Sequence, residues 1–281
     1  MQNLNKIEKE FIETNGIKLH TIIVGSGEPV ILLHGFPEFW YCWSKVIPLL
    51  KDDFKLIIPD MRGYNLSDKP MGVENYNIEI LVEDIKGLAE QIGINKFNLV
   101  GHDWGGALSW IFAEKYPELL NKLIILNAPH PKIFSEKLRT DKQQQKASFY
   151  IFEFYKPNGE TFIIENGYER LREFVFTKSF SDFDKKQYLK AWAQPGAIEG
   201  GVNYYRANTS FKNWTGIIEI PTLVLWGMKD LFLTPQLLDG LSNYVQDLRI
   251  EKNEEASHWI THDVPEFVSS KIREFIQDNK S

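Results

Sequence analysis

The tightest constraint in this chain is the run Leu99-Val-Gly-His-Asp-Trp-Gly-Gly106. Phe97 to Val100 is an apolar run of strand length, and Ala107 to Lys115 reads as helix, so a buried strand passes into a helix within a few residues. Gly101 and Gly105 stand two residues before and two after Asp103, with Gly106 next. A turn this sharp leaves no room for flanking side chains and presents the central one at its tip, the arrangement of a nucleophile elbow. The usual central residue is Ser; here it is Asp103, and the chemistry changes with it. A hydroxyl suits acyl transfer, whereas a carboxylate suits back-side displacement at saturated carbon, leaving an alkyl ester on the enzyme. Water attacking the Asp103 side-chain carbonyl then hydrolyses that ester. An aspartate at a helix start also suits a simple cap, but a cap needs neither a preceding strand nor three glycines.

Composition permits a globular enzyme. A length of 281 residues suits one α/β core plus an insertion, and 43% hydrophobic against 25% charged residues supports a packed core. The formal charge of −6 weighs against nucleic acid or an anionic membrane as partner. Cys42 is the one cysteine, which excludes an internal disulfide and a thiolate metal cluster. The opening MQNLNKIEKEF lacks the apolar core of a signal peptide, and no apolar run reaches about 18 residues, so a cytoplasmic protein is expected. Asn65, Asn208 and Asn213 begin glycosylation triplets, read as chance matches without a secretory signal.

Along the chain, Glu10 to Val24 carries Asn15-Gly16 between two alternating segments, a hairpin signal. Val30 to Leu33, Lys55 to Pro59, Lys122 to Leu126, Thr222 to Trp226 and Leu248 to Glu251 read as further strands. Between them lie helical patterns: Trp40 to Leu50, the apolar stripe from Ile78 to Ile92, and a closing helix from about Pro265 to Gln277. Buried strands alternating with helices predict a mostly parallel sheet covered on both faces. Residues 133–215 break the rhythm, with polar helical stretches (Glu136 to Lys146, Asp182 to Lys190), many aromatics and no buried strand. The expected organisation is an α/β core in two parts, 1–132 and 216–281, with 133–215 as a helical cap over the strand ends; a second interaction domain is the alternative reading.

The base for Asp103 is best sought on a loop after the last strand, where Ala256-Ser-His-Trp-Ile260 offers His258. Its spacing to His262 is metal-like, but no third ligand cluster accompanies the pair, so no metal is expected. His102 adjoins Asp103, where the elbow turns it away; His20 lies in the hairpin and His130 leads into residues 133–215. The orienting acid is Asp230, delivered by Thr222-Leu-Val-Leu-Trp-Gly-Met-Lys-Asp230 to the same sheet edge; Glu254 and Glu255 compete for the role but read as a solvated face. For an oxyanion, the backbone N–H groups of Trp104 and Phe36 are the natural pair, with His34 and Pro37 shaping the second loop.

His34-Gly-Phe-Pro-Glu-Phe-Trp-Tyr-Cys-Trp43, Asp60-Met-Arg-Gly-Tyr64, Gly101-His-Asp-Trp-Gly-Gly106 and Ser257-His-Trp259 together resemble the epoxide hydrolase branch of the α/β-hydrolases, over almost the whole length. Asp103, Asp230 and His258 follow the nucleophile, acid, base order of that fold. The resemblance implies an α/β-hydrolase fold with an inserted helical cap, and a cofactor-free enzyme that converts an epoxide and water to a 1,2-diol. In that family two cap tyrosines donate hydrogen bonds to the epoxide oxygen. Ser148-Phe-Tyr-Ile-Phe-Glu-Phe154 resembles the first tyrosine motif and implies Tyr150; Val202-Asn-Tyr-Tyr-Arg-Ala207 resembles the second and implies Tyr205. Glu153 and Tyr155 depart from the first motif, and by residue type alone either tyrosine also suits aromatic packing.

Haloalkane dehalogenases are similar around Asp103-Trp104 but commonly carry Asn after the His-Gly pair, where this chain has Phe36. Fluoroacetate dehalogenases carry arginines after the nucleophile, where this chain has Trp104 and Gly106. A haloalkane dehalogenase and a non-catalytic binder of a hydrophobic ligand are the alternatives. Phe39, Trp40, Trp104 and the aromatics of 133–215 predict an apolar pocket. The expected partner is a small apolar epoxide, on a monomer or homodimer.

Overall fold

The computed structural model describes residues 8–210 and 214–278; residues 1–7, read above for a leader, and Asn213 lie outside the described residues. Its strands are β1 (Glu8–Thr14), β2 (Ile17–Val24), β3 (Glu28–Leu33), β4 (Phe54–Pro59), β5 (Phe97–His102), β6 (Leu120–Leu126), β7 (Thr222–Gly227) and β8 (Leu248–Asn253). They form one sheet in the order β1-β2-β4-β3-β5-β6-β7-β8. Asn15 and Gly16, both at positive φ, close the β1–β2 hairpin. β2 pairs antiparallel with β1 and β4, and from β4 to β8 every pairing is parallel. Every residue of β5 and β7 is buried, as expected of strands covered on both faces. This is the α/β-hydrolase arrangement.

From β3 the chain crosses to β4 on one side and later to β5 on the other. Such a reversal opens a crevice beyond the carboxyl ends of the two strands. Leu33 and Gly101 are register partners there, so the loop carrying Phe36 and the turn carrying Asp103 emerge side by side.

The helices, in chain order, are α1 (Ile47–Leu50), α2 (Ile78–Gln91), α3 (Trp104–Lys115), α4 (Pro131–Thr140), α5 (Lys142–Ala147), α6 (Phe149–Phe154), α7 (Thr161–Val175), α8 (Asp182–Trp192), α9 (Ala197–Ala207), α10 (Ile260–Asp263) and α11 (Pro265–Gln277). α2 buries the predicted stripe from Ile78 to Ala89, together with Asp84. Arg62 reaches that carboxylate through two 2.7 Å bonds and so ties the loop after β4 to α2. Two helical expectations need correction. Trp40 to Leu50 is not one helix but a 3-10 turn, Trp40–Trp43, followed by the single turn α1, which carries Pro48 in its first turn. Proline has no N–H for a ladder continuing from residue 44 and fits only a helix start. Glu136 to Lys146 is likewise split at Asp141, whose carboxylate leaves the helix to accept the N–H groups of Gln143 and Gln144 at 2.8 and 3.1 Å.

All of α4–α9 lies between β6 and β7, and among the described residues no sheet strand interrupts it. His130, just before α4, stacks on Trp214 at 4.6 Å and on Tyr244 at 4.4 Å between ring centroids, so the chain leaving the sheet and the chain returning to it meet in one aromatic stack. Two of the glycosylation triplets are occupied internally. The Asn208 amide donates to the carbonyls of Tyr76 and Tyr204, and the Asn65 amide to Asp60.

The elbow makes the fold sensitive to one methyl group. A Cβ on Gly101 would run into the Gly105 carbonyl oxygen and the Ser109 hydroxyl. Gly101→Ala is expected to lower stability by about 1–3 kcal/mol, read from urea unfolding. An unchanged midpoint would contradict the close strand-to-helix approach.

Candidate active site

Asp103 adopts φ 51° and ψ −119°, a conformation that few non-glycine residues tolerate. Its side chain makes no capping bond to α3. One carboxylate oxygen, Oδ1, accepts the Phe36 N–H at 2.7 Å, and the Trp104 N–H adds to the favourable field at the carboxylate. The loop can come this close because residue 35 is glycine: a Cβ there would overlap the Asp103 side chain. Burial pushes the Asp103 carboxyl above its ordinary range, against the opposing pull of His258, His102 and the two N–H donors.

His258 follows β8 and is buried. Its Nδ1 donates to Asp230 Oδ2 at 2.7 Å, and its Nε2 faces Asp103 Oδ2 at 3.6 Å. Burial alone would lower the His258 pKa. The Asp230 carboxylate and its hydrogen bond, with Asp103 and Glu38 adding to them, carry it instead to about 9. Asp230 sits in the turn after β7. Its Oδ1 accepts the N–H groups of Phe232 and Leu233, and its Oδ2 accepts the Asn127 amide at 2.7 Å beside His258. Asn127 also bonds both the N–H and the carbonyl of Gly227, lacing the end of β6 to the end of β7.

Tyr150 from α6 and Tyr205 from α9 lean over Asp103. Their ring centroids are 6.0 Å apart at 83°, and Tyr205 packs edge-on against Trp104 at 5.0 Å. Burial first, and then the negative charge of Asp103, raises the Tyr150 phenol. Burial does the same for Tyr205, with Tyr150 and Asp103 adding to it, so both remain proton donors at neutral pH. The neighbouring Tyr204 points elsewhere and donates to the Arg62 carbonyl at 2.8 Å. Two cavities adjoin Asp103, Tyr150 and Tyr205. One, of about 730 Å³, runs along Trp104, Phe134, Leu138 and Tyr155; the other, of about 380 Å³, is walled by Phe36, Phe174, Phe232 and Trp259 and reaches His258.

Asp103, His258, Asp230, Tyr150, Tyr205, Phe36 and Trp104 therefore gather around one crevice. Phe39 and Trp40 do not line either cavity. Both are buried in an aromatic cluster, Phe39 stacked on Tyr41 and edge-on to Tyr188, because the 3-10 turn carries them away from the elbow. Glu254 and Glu255 are exposed. His34 accepts the Met61 N–H at 2.9 Å, a loop-shaping contact. His262 turns from His258 toward the Tyr188 hydroxyl at 2.9 Å.

Sequence reasoning missed Asn127 and a buried network behind the elbow. Glu38 lies 2.7 Å from His102 Nδ1 and accepts the Tyr188 hydroxyl at 3.0 Å, while His102 Nε2 donates to the His258 carbonyl at 2.9 Å. Burial alone would raise the Glu38 carboxyl; the His102 charge and hydrogen bond hold it down to about 2. The available signal was a lone carboxylate in the apolar stretch Phe36-Pro-Glu-Phe-Trp40.

Residues 28–264 match the family described as alpha/beta hydrolase fold. The AB hydrolase superfamily protein YfhM of Bacillus subtilis is 38% identical, over 98% of this chain and all of that protein. Epoxide hydrolase 4 of Mus musculus is 35% identical, over 95% of this chain and 78% of its own length. A solved mutant of an epoxide hydrolase from Bacillus megaterium, complexed with its product (R)-3-[1]naphthyloxy-propane-1,2-diol, superposes with a TM-score of 0.90 at 35% identity, covering 96% of this chain and all of that one. The chain belongs to the α/β-hydrolase superfamily and, within it, to the epoxide hydrolase family.

Proposed function

We propose that this protein hydrolyses epoxides to 1,2-diols through a covalent ester on Asp103, without a cofactor. The observation that carries the reading is a carboxylate at an elbow that faces an imidazole on one side and two phenols across a cavity on the other. A halide leaves as a stable anion, whereas an opening epoxide generates an alkoxide that needs a proton, and paired phenols suit that need.

In the first step Asp103 Oδ2 attacks a ring carbon. The ring C–O bond breaks, and Tyr150 or Tyr205 gives its proton to the departing oxygen. The resulting phenolate regains a proton from the His258 imidazolium through solvent. Having given up that proton, the imidazole is neutral when a base is needed, and esterification removes the Asp103 charge, one of the smaller influences that raise His258 in the resting protein. In the second step His258 takes a proton from water, which adds to the Asp103 side-chain carbon. The oxyanion forms on Oδ1, which already accepts the Phe36 N–H, with the Trp104 N–H as the second donor. Collapse breaks the ester C–O bond, and the departing alkoxide takes the intermediate's hydroxyl proton, which releases the diol, restores the carboxylate and leaves His258 as the imidazolium paired with Asp230. Residues 133–215 serve as the cap: they contribute Tyr150 and Tyr205, while Asp103, Asp230 and His258 come from the sheet edge. A lid of this kind excludes bulk water from the ester. Apolar walls favour an apolar epoxide.

Diol formation from racemic styrene oxide and from 1-naphthyl glycidyl ether is the direct assay. Asp103→Asn is expected to lose at least about a thousandfold in turnover. His258→Gln is expected to accumulate an alkyl-enzyme heavier by the mass of the epoxide. No adduct in that variant, or halide release from a bromoalkane in place of diol formation, would contradict the reading. The tyrosine assignment has an internal control. Tyr205→Phe is expected to reduce turnover by about a hundredfold, whereas Tyr204→Phe costs about 1 kcal/mol of stability and leaves turnover nearly intact. Equal losses from both would remove Tyr205 from its role.

A further inference from the structure

Three exposed aromatic residues, Phe149, Phe152 and Tyr155, stand together on α6 and its C-cap, beside the larger cavity. α6 is amphipathic in an unusual sense, being aromatic or aliphatic on both faces. Ile151 and Phe154 turn inward and are buried, while Phe149 and Phe152, one helical turn apart, are 48% and 54% exposed. Tyr155, which ends the helix, continues this face at 42% exposure, with its ring centroid 6.2 Å from that of Phe152. Tyr155 also lines the larger cavity, so the exposed aromatic face and the cavity wall are continuous.

Charge is distributed to match. The whole chain carries −6, but residues 131–156 hold six Lys and Arg against three Asp and Glu. Arg139, Lys142, Lys146 and Lys156 are exposed. Of the three acids, Asp141 is turned into its capping role, Glu153 is paired with Lys156, and Glu136 is exposed, so the cations remain in excess. Arg170, from α7, lies with its guanidinium 4.2 Å from the Phe162 ring centroid, and Phe162 in turn meets Phe149 at 6.1 Å. Exposed aromatics flanked by cations are the composition of a surface that beds into the headgroup region of an anionic bilayer. No helix among the described residues is long and apolar enough to cross a membrane, so the contact is peripheral.

We propose that the α6 face docks on anionic lipid bilayers, with Phe149 and Phe152 entering the interface and the lysines of α5 meeting lipid phosphates, which sets the cavity mouth against the phase where an apolar substrate dissolves. The role given to that substrate rests on the epoxide reading; the docking does not, and it is measured without turnover. The probe is co-sedimentation with sucrose-loaded vesicles of equal parts phosphatidylglycerol and phosphatidylcholine, at low salt, beside vesicles of phosphatidylcholine alone. Wild type is expected to sediment with the anionic vesicles and far less with the neutral ones. Phe149→Ser/Phe152→Ser and, separately, Lys142→Glu/Lys146→Glu are each expected to weaken binding by roughly tenfold. Neither pair lines the cavity, so unchanged hydrolysis of a water-soluble epoxide certifies that both variants are folded. Equal sedimentation of all three proteins, or no sedimentation of wild type, would overturn the proposal. So would a wild-type dimer in gel filtration that becomes monomeric in Phe149→Ser/Phe152→Ser, because the face would then be an interface between two copies.

Discussion

A largely enclosed carboxylate at a strained turn is the feature on which the rest of this structure depends. Removing the Asp103 charge from water is costly unless that charge is solvated from within, and every element around the elbow answers to the requirement. β3 runs beside β5 so that the Phe36 N–H reaches the carboxylate, and α3 begins where the Trp104 N–H can do the same. β8 ends in the loop that brings His258 to the remaining oxygen. The donors that make the resting carboxylate tolerable are also the donors that an oxyanion on the same atom would require. In the proposed reaction, ground-state solvation and transition-state stabilisation would share these dipoles, already oriented before reaction.

Support extends outward in two chains. On one side, Asn127 and the turn after β7 fill the lone pairs of Asp230, leaving its direction toward His258 as the single arrangement that satisfies all partners. On the other, Glu38, His102 and Tyr188 form a buried network that ends on the His258 backbone carbonyl. His258 is therefore fixed at both ring and main chain. Tyr188 belongs to α8, so the helices between β6 and β7 contribute to this rigidity as well as supplying the two phenols.

Much of this was legible in the sequence because it follows from local rules. Glycine spacing around Asp103 has one good explanation in a strand-to-helix turn, and the strands around it are short apolar runs bounded by turn residues. Tyr150 and Tyr205 are different. Nothing in their immediate surroundings separates Tyr205 from Tyr204, and only a motif resemblance chose between them; the structure turns one toward Asp103's cavity and the other toward the Arg62 carbonyl. Phe39 and Trp40 were misread as pocket residues because aromatic character alone does not tell which way a 3-10 turn will face them. Asn127 and Glu38 were invisible for a related reason. Their partners lie 103 and 64 residues away in sequence, and such pairings follow from strand order, which hydrophobic pattern does not encode.

The central claim is that Asp103 is esterified and that water attacks its side-chain carbon rather than the epoxide. A single turnover in ¹⁸O-labelled water, with enzyme in excess of epoxide, tests it directly, followed by proteolysis and mass measurement of the peptide bearing Asp103. The account predicts one solvent oxygen in the Asp103 carboxylate, with the diol taking its new oxygen from the protein. Label in the diol and none in Asp103 would mean direct attack of water on the epoxide, and would contradict it.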